Sequence, residues 1–485
     1  MTIKSWALEN SFSSLPSILF ESANATPVKN PSLFVFNTPL AKLLELDELQ
    51  LDGDVGISWL SGNSVPPNTT PIAQAYAGHQ FARFVPSLGD GRAVLLGEHR
   101  LTTGELFDIQ LKGSGRTVYS RNGDGRAALG PMLREYIIGE FLTAVGIPAT
   151  RALAVVLSGE SIQREKLQSG AVLTRVADSH IRIGTFEYLH ARSEKSAISQ
   201  LVNYCITRHY PECRDSQDPA FSFCKQFVEK TASLVSQWMH VGFIHGVLNT
   251  DNVAISGQSL DFGPCAFMDT YDPTTVFSSI DTAGRYAYGA QPSITHWNVA
   301  RFLETVLFLL DKDQAQSIEK AKELLQHFET IFEANWNQGL RNKLGLHTSE
   351  SNDHELAMDF LNLLFENKLD FTHSFRMISS AATSFGPDHP LTQWHTKWRA
   401  RIEETRNART LEETFVMMQK QNPIYIPRNH IVEAVLSSCQ ETHTTIELDK
   451  LVSVLRAPFT EKQNQESFSS LPPKDWTNYR TFCGT

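Results

Sequence analysis

The chain has 485 residues, 41% of them hydrophobic and 20% charged, with a formal net charge of −10. That length buries a large core in two lobes or domains, and the acidic balance argues against a general nucleic-acid binder, which needs a basic face. The six cysteines (Cys205, Cys213, Cys224, Cys265, Cys439 and Cys483) form no Cys-x-x-Cys pair, which argues against a zinc site or a disulfide framework and for a reduced, cytoplasmic setting. No run of about 18 apolar residues is present, so no membrane span is expected. The first residues, MTIKSWALENSF, lack the apolar core of a signal peptide.

Taken in chain order, residues 1–70 read as an N-terminal extension closed by the loop SGNSVPPNTTP. From about residue 80 to 115 the pattern becomes strands and tight turns. RAVLLGEHR and ELFDIQLKG are strand-like, LTTGE is the turn between them, and SLGDG precedes them, as in an antiparallel sheet. A helix follows, with Pro131 near its start, Leu133, Ile137, Phe141 and Val145 at four-residue spacing, and Gly146 and Pro148 ending it. RALAVVLSGESI and AVLTRVADSHIRIGTF return to strand character. After about residue 195 the chain reads as helical, most plainly in SFCKQFVEKTASLVSQWMHVGF and WNVARFLETVLFLLDKDQAQSIEKAKELLQHFETIFEAN. The expected class is α+β with a protein-kinase-like bilobal order. Residues 71–195 form a β-rich N-lobe with one key helix, and residues 196–485 form a mainly helical C-lobe with extensions.

The chemistry-bearing motifs fall in that same order. LGDGR (88–92) puts Gly89, Gly91 and Arg92 at a turn where backbone N–H groups can approach a phosphate. Lys112 ends the alternating run DIQLK much as the kinase strand lysine ends its own. Such a lysine needs a carboxylate on the next helix, and spacing leaves Glu135 and Glu140 equally placed. YSRNGDGRAALG concentrates Arg121, Asp124, Gly125 and Arg126 just before that helix, a plausible anion site, and TRVADSHIRIG adds Arg175 and Arg182.

The strongest signal is HGVLNTDNVAI followed by LDFGP. A kinase catalytic loop separates its histidine from its metal-binding asparagine by seven positions, and His245 to Asn252 keeps that interval. Asp261 opens a true Asp-Phe-Gly nine residues later, so Asn252 and Asp261 can hold a divalent cation against nucleotide phosphates. The kinase base position, two residues after the histidine, is Val247. Asp251 supplies a carboxylate four residues beyond it.

These stretches, together with AYAGHQFARFVPSLGDGRAVLLGE, DIQLKGSGRTVYSRNGDGRAALGPMLREYIIGE, TRVADSHIRIGTFEY and NPIYIPRNH, closely resemble the selenoprotein O family of protein adenylyltransferases with a pseudokinase fold. The resemblance implies an inverted ATP as co-substrate, with AMP, or UMP from UTP, transferred to Ser, Thr or Tyr hydroxyls of protein partners, the enzyme itself included. It implies Gly89, Gly91, Arg92, Lys112, Asp124, Gly125, Arg175, Arg182 and Asp261 at the nucleotide, with Glu135 holding Lys112. It makes Asp251 the proton acceptor and Asn252 and Asp261 the ligands of Mg2+ or Mn2+. Neither nucleic acid nor membrane is an expected partner. The alternatives are a conventional protein kinase, against which Val247 counts, and an inactive nucleotide-binding scaffold. Some family members couple a terminal selenocysteine or cysteine, here Cys483, to a cysteine of the activation segment. MDTYDPTTVFSSID has none, which leaves Cys265 as the nearest candidate.

Overall fold

A computed structural model describes residues 6–46, 51–404, 410–476 and 479–482. Its class is α+β. The strands are β1 (Phe20–Ser22), β2 (Ser32–Phe36), β3 (Ile72–Gln74), β4 (Gly78–Gln80), β5 (Arg83–Val85), β6 (Ala93–Arg100), β7 (Leu106–Lys112), β8 (Ala127–Ala128), β9 (Arg151–Gln163) and β10 (Leu167–Ala177), followed by the short pair β11 (Phe243–Ile244) and β12 (Ala266–Phe267). One antiparallel sheet runs in the order β1-β3-β6-β7-β10-β9-β2, with β8 paired to β10, while β4 and β5 form a separate hairpin. The N-terminal region thus supplies both outer strands of the sheet.

That sheet is covered on both faces. Helices α1 (Thr38–Leu43) and α2 (Asp54–Ser61) pack Leu40, Trp59 and Leu60 against Ile109, Leu111, Val172 and Val176. The opposite face meets α3 (Leu129–Ala144), whose Leu133, Ile137 and Phe141 join Val155, Ala171 and Leu173. With no face left to water, β7 carries apolar residues at alternate positions and, between them, the buried polar Asp108, Gln110 and Lys112.

Helix α3 is buried nearly all round. Late helices close over its outer side, where Arg134 pairs with Glu433 and Arg456 Nε donates to Glu140 at 2.7 Å. The C-lobe is built on α4 (Ile183–His190), α5 (Lys195–His209), α6 (Pro219–His240), α7 (Gln291–Leu310) and α8 (Gln314–Leu344). Two sequence expectations are corrected here. The strand read through residue 186 stops at Ala177, and Ile183–His190 is helical. The long amphipathic segment from Trp297 breaks between Leu310 and Gln314, where the Asp313 side chain caps the second helix.

A second C-lobe core holds Lys343, 3% exposed, with its Nζ 4.2 Å from the Phe375 ring centroid. Burial lowers its pKa from 10.5 to about 7. Between those values the unfolded chain binds the extra proton, so stability rises as pH climbs from about 7 to 10.5. Lys343→Met is expected to stabilise the protein at pH 7 by about 2 kcal/mol and to flatten that pH dependence. Urea denaturation at pH 7 and pH 10 checks this, and a less stable methionine variant at pH 7 would show that the cation–π contact outweighs desolvation.

Candidate active site

Strand β7 delivers Lys112, α3 delivers Glu135, β10 delivers Arg175, and the segment between β10 and α4 delivers Arg182. Lys112, Arg175 and Arg182 meet Asp261 of the Asp-Phe-Gly, and Glu135 pairs with Lys112. Lys112 Nζ donates to a Glu135 carboxylate oxygen and, at 2.7 Å, to Asp261 Oδ1. Arg175 Nη1 donates to the same Oδ1 at 2.6 Å, and Arg182 Nη1 donates to Oδ2 at 2.8 Å. Burial opposes ionisation of Asp261, but Lys112, Arg175 and Arg182 overcome it and hold the carboxyl well below its usual range. Its backbone is left-handed, with φ 63°, an uncommon conformation for a residue bearing a Cβ.

Structure also decides between the two glutamates. Glu135 faces Lys112. Glu140 lies five residues on, about 140° around the helix, and binds Arg151, Arg456 and Asn37 instead.

The catalytic loop approaches from the C-lobe. Arg182 Nη1 donates to the Asp251 carbonyl at 2.7 Å, which ties the loop to the cation cluster. Asp251 is 7% exposed, and its Oδ1 has no hydrogen-bond partner. Burial pushes this carboxyl up to about 6, against the pull of Arg182. Asn252 Nδ2 donates to the Val247 carbonyl at 2.8 Å, which commits the amide nitrogen and leaves the oxygen as the atom suited to a cation. Val247 itself is buried and contributes only this backbone acceptor. His245 is buried, with Nε2 3.0 Å from the Leu260 carbonyl, so it braces the strand-like run into the Asp-Phe-Gly.

Among the described residues no three or more His, Cys, Asp and Glu side chains gather as a metal cage. The donors present are hard oxygens: the Asn252 amide and the Asp261 carboxylate. That set fits Mg2+ or Mn2+, since Mg2+ takes one or two protein ligands and completes its shell with water and substrate phosphates.

The glycine turn is also close-packed. Gly89 has φ 68°, and a Cβ there would stand 2.2 Å from the Tyr119 ring, so a larger residue would displace that ring. The loop after Lys112 folds over the turn, with Thr117 Oγ1 donating to the Asp90 carbonyl at 2.7 Å and Ser120 bonding the Gly91 carbonyl. The Arg92 carbonyl accepts from Gly113 N at 2.7 Å, next to Lys112. Gly125 lies against Gly115, three residues past Lys112. Asp124 is exposed and paired with Arg164 at 2.8 Å, so its recorded partners lie outside the cation cluster.

Sequence reasoning missed several members. Asp90, between the two glycines, is buried and accepts from Gln74 N at 3.1 Å and from Gln110 Nε2 at 3.2 Å. Gln110 Oε1 in turn accepts from Arg175 Nη2 at 2.6 Å. Tyr76 lies under Arg182, 4.6 Å from guanidinium carbon to ring centroid. The available signal was the alternation Asp108, Gln110, Lys112 along one face of β7.

Cys265 is buried, its thiol pushed up to about 12 by burial and donating to the Phe262 carbonyl at 3.2 Å. Such a thiol is a poor nucleophile. Cys483 lies outside the described residues. Thr481 Oγ1 donates to the Pro264 carbonyl at 2.6 Å, next to the Asp-Phe-Gly.

A strand lysine paired to a helix glutamate, a histidine–asparagine catalytic loop and an Asp-Phe-Gly define a kinase-like, nucleotide-dependent transferase site. Residues 3–456 match the model of the family described as protein adenylyltransferase SelO. The chain is 48% identical over 480 residues to a protein nucleotidyltransferase YdiU of Anoxybacillus flavithermus, and 46% identical over 483 residues to that of Shouchella clausii, covering 99% of both chains in each case. This protein belongs to the SelO family and is a nucleotidyltransferase. A solved structure of ROP2 from Toxoplasma gondii, described as a virulence factor with a protein-kinase fold and no enzymatic activity, aligns over 70% of this chain and 87% of its own at 8% identity and a TM-score of 0.25. The kinase-like description rests on the elements above and not on that alignment.

Proposed function

We propose that this protein transfers AMP from ATP to Ser, Thr or Tyr hydroxyls of proteins, itself included, with release of pyrophosphate and with UTP as a second donor. The observation that carries the reading is the convergence of Lys112, Arg175 and Arg182 on one carboxylate, beside a second buried carboxylate whose Oδ1 is unpartnered. Cations suit the phosphate chain, and the planar forks of Arg175 and Arg182 suit its terminal groups. Asp251 accepts the proton of the acceptor hydroxyl as its oxygen bonds to the α-phosphorus. The bond from that phosphorus to the β-phosphate oxygen breaks, and pyrophosphate leaves.

Asn252 and Asp261 would hold Mg2+ or Mn2+, which supplies charge neutralisation for the departing pyrophosphate. Lys112 and the two arginines bind and orient the phosphates, and Glu135 and Gln110 keep Lys112 and Arg175 in place. No helix among the described residues is long and apolar enough to cross a membrane, and the reduced cysteines suit the cytoplasm.

Incubation with α-labelled and, separately, γ-labelled ATP tests the reading. Label on protein from the α position, with a mass increase of one AMP on a hydroxyl residue, is the expected result. Label from the γ position alone would instead establish a kinase, against which the apolar Val247 stands.

A further inference from the structure

We propose that the hairpin β4–β5 is the docking platform for the acceptor, and that its occupant is an unstructured, acidic, hydroxyl-bearing protein segment. This inference rests on the transferase reading above. The hairpin is locked to the catalytic loop residue by residue. A Cβ on Gly78 would lie 2.4 Å from Asp251 Oδ1, so bare backbone stands against the carboxylate oxygen that has no partner. His79 N donates to Thr250 Oγ1 at 2.7 Å, and Phe81 N donates to Asn249 Oδ1 at 3.1 Å and to the Tyr286 hydroxyl at 3.2 Å. The Thr250 hydroxyl in turn donates to Glu187 at 2.6 Å, and the same carboxylate group holds His79 Nδ1 at 2.6 Å.

Such a lock fixes what the hairpin tip presents. Phe81 and Ala82 turn with φ 50° and 63°, left-handed conformations without glycine, each of which costs about 1 kcal/mol or more and persists only when its surroundings enforce it. Beyond them Arg83 is exposed and Phe84 is 41% exposed. The Phe84 ring lies 5.0 Å from His79, which lies 5.3 Å from Trp297, and the Arg285 guanidinium covers Trp297 at 5.0 Å. The result is a run of aromatic rings flanked by Arg83 and Arg285, on a hairpin bonded to the catalytic loop. Rings supply contact area at little entropic cost, and the two arginines complement carboxylates of an incoming chain. A chain held there lies beside the loop that carries Asp251, to which the hairpin is bonded through His79 and Phe81.

The test uses β-casein, an unstructured acidic protein, and lysine-rich histone H1 as acceptors for label from α-labelled ATP. Arg83→Glu and Phe84→Ala are both exposed changes, and calorimetric binding of magnesium–ATP should remain within twofold of wild type. Each variant is expected to lose at least tenfold in kcat/KM for casein through KM, and wild type is expected to prefer casein to histone. Casein labelling by the variants at the wild-type rate overturns the platform. Preference for histone, or self-labelling with no casein labelling, overturns the acidic occupant. Absence of any protein labelling by wild type overturns the transferase reading itself and is thereby distinguished from the other results.

Discussion

Asp261→Ala is expected to lower AMP transfer by at least about 10³-fold and to destabilise the metal-free protein by about 3–5 kcal/mol. The two effects share one cause. Asp261 is the common anion for Lys112, Arg175 and Arg182, whose side chains are 7%, 2% and 3% exposed. Without it Lys112 and Arg175 share Glu135, whose Oε2 is 3.7 Å from Arg175, and Arg182 loses its ion pair. Asp261→Gly separates charge from backbone strain. It removes the same carboxylate but suits φ 63°, so it should be about 1 kcal/mol more stable than the alanine variant and equally inactive. Urea unfolding in EDTA and α-label transfer measure both quantities. An alanine variant as stable as wild type would mean that water already compensates the cations.

The second large effect is at Asp251, where function and stability oppose each other. Asp251→Asn removes the proposed proton acceptor, and transfer should fall by roughly 10³-fold. In the metal-free protein the folded-state pKa is about 6 against an ordinary 3.8. The folded state therefore holds the proton more tightly than the unfolded chain. Stability declines as pH rises from about 4 to 6, and above 6 the ionised, buried carboxylate costs up to about 3 kcal/mol. The neutral asparagine avoids that cost, so the variant should be more stable than wild type by roughly 1–2 kcal/mol at pH 8 and little different at pH 4. Denaturation at the two pH values in EDTA, with transfer assays alongside, checks this. A variant that is less stable at pH 8, or that still modifies protein, would remove Asp251 from its assigned role.

Much of the site was legible as one-dimensional order. A glycine turn, a lysine ending a strand, an arginine pair, a histidine–asparagine interval and an Asp-Phe-Gly follow one another with spacings that chemistry constrains. Helix α3 was legible for a similar reason: its apolar repeat, Pro131 and Gly146 are local signals. The stretch Ile183–His190 was misread because IGTFEYLH mixes β-branched and aromatic residues. There, burial against the C-lobe outweighed strand propensity.

Spacing in the chain was sufficient to single out Lys112 and Asp261, which the fold joins at 2.7 Å, and the loop residues Asp251 and Asn252, because each sits in a motif whose intervals are fixed by local backbone geometry. It could not choose Glu135 over Glu140, see Asp90 and Gln110 as supports of Arg175, or bring Gly78 against Asp251. Those pairings join residues 20 to 173 positions apart in the chain. They exist only because a sheet buried on both faces, a helix sealed by the C-terminal helices and a locked hairpin bring distant polar groups into one buried space, where an unpartnered polar group is costly.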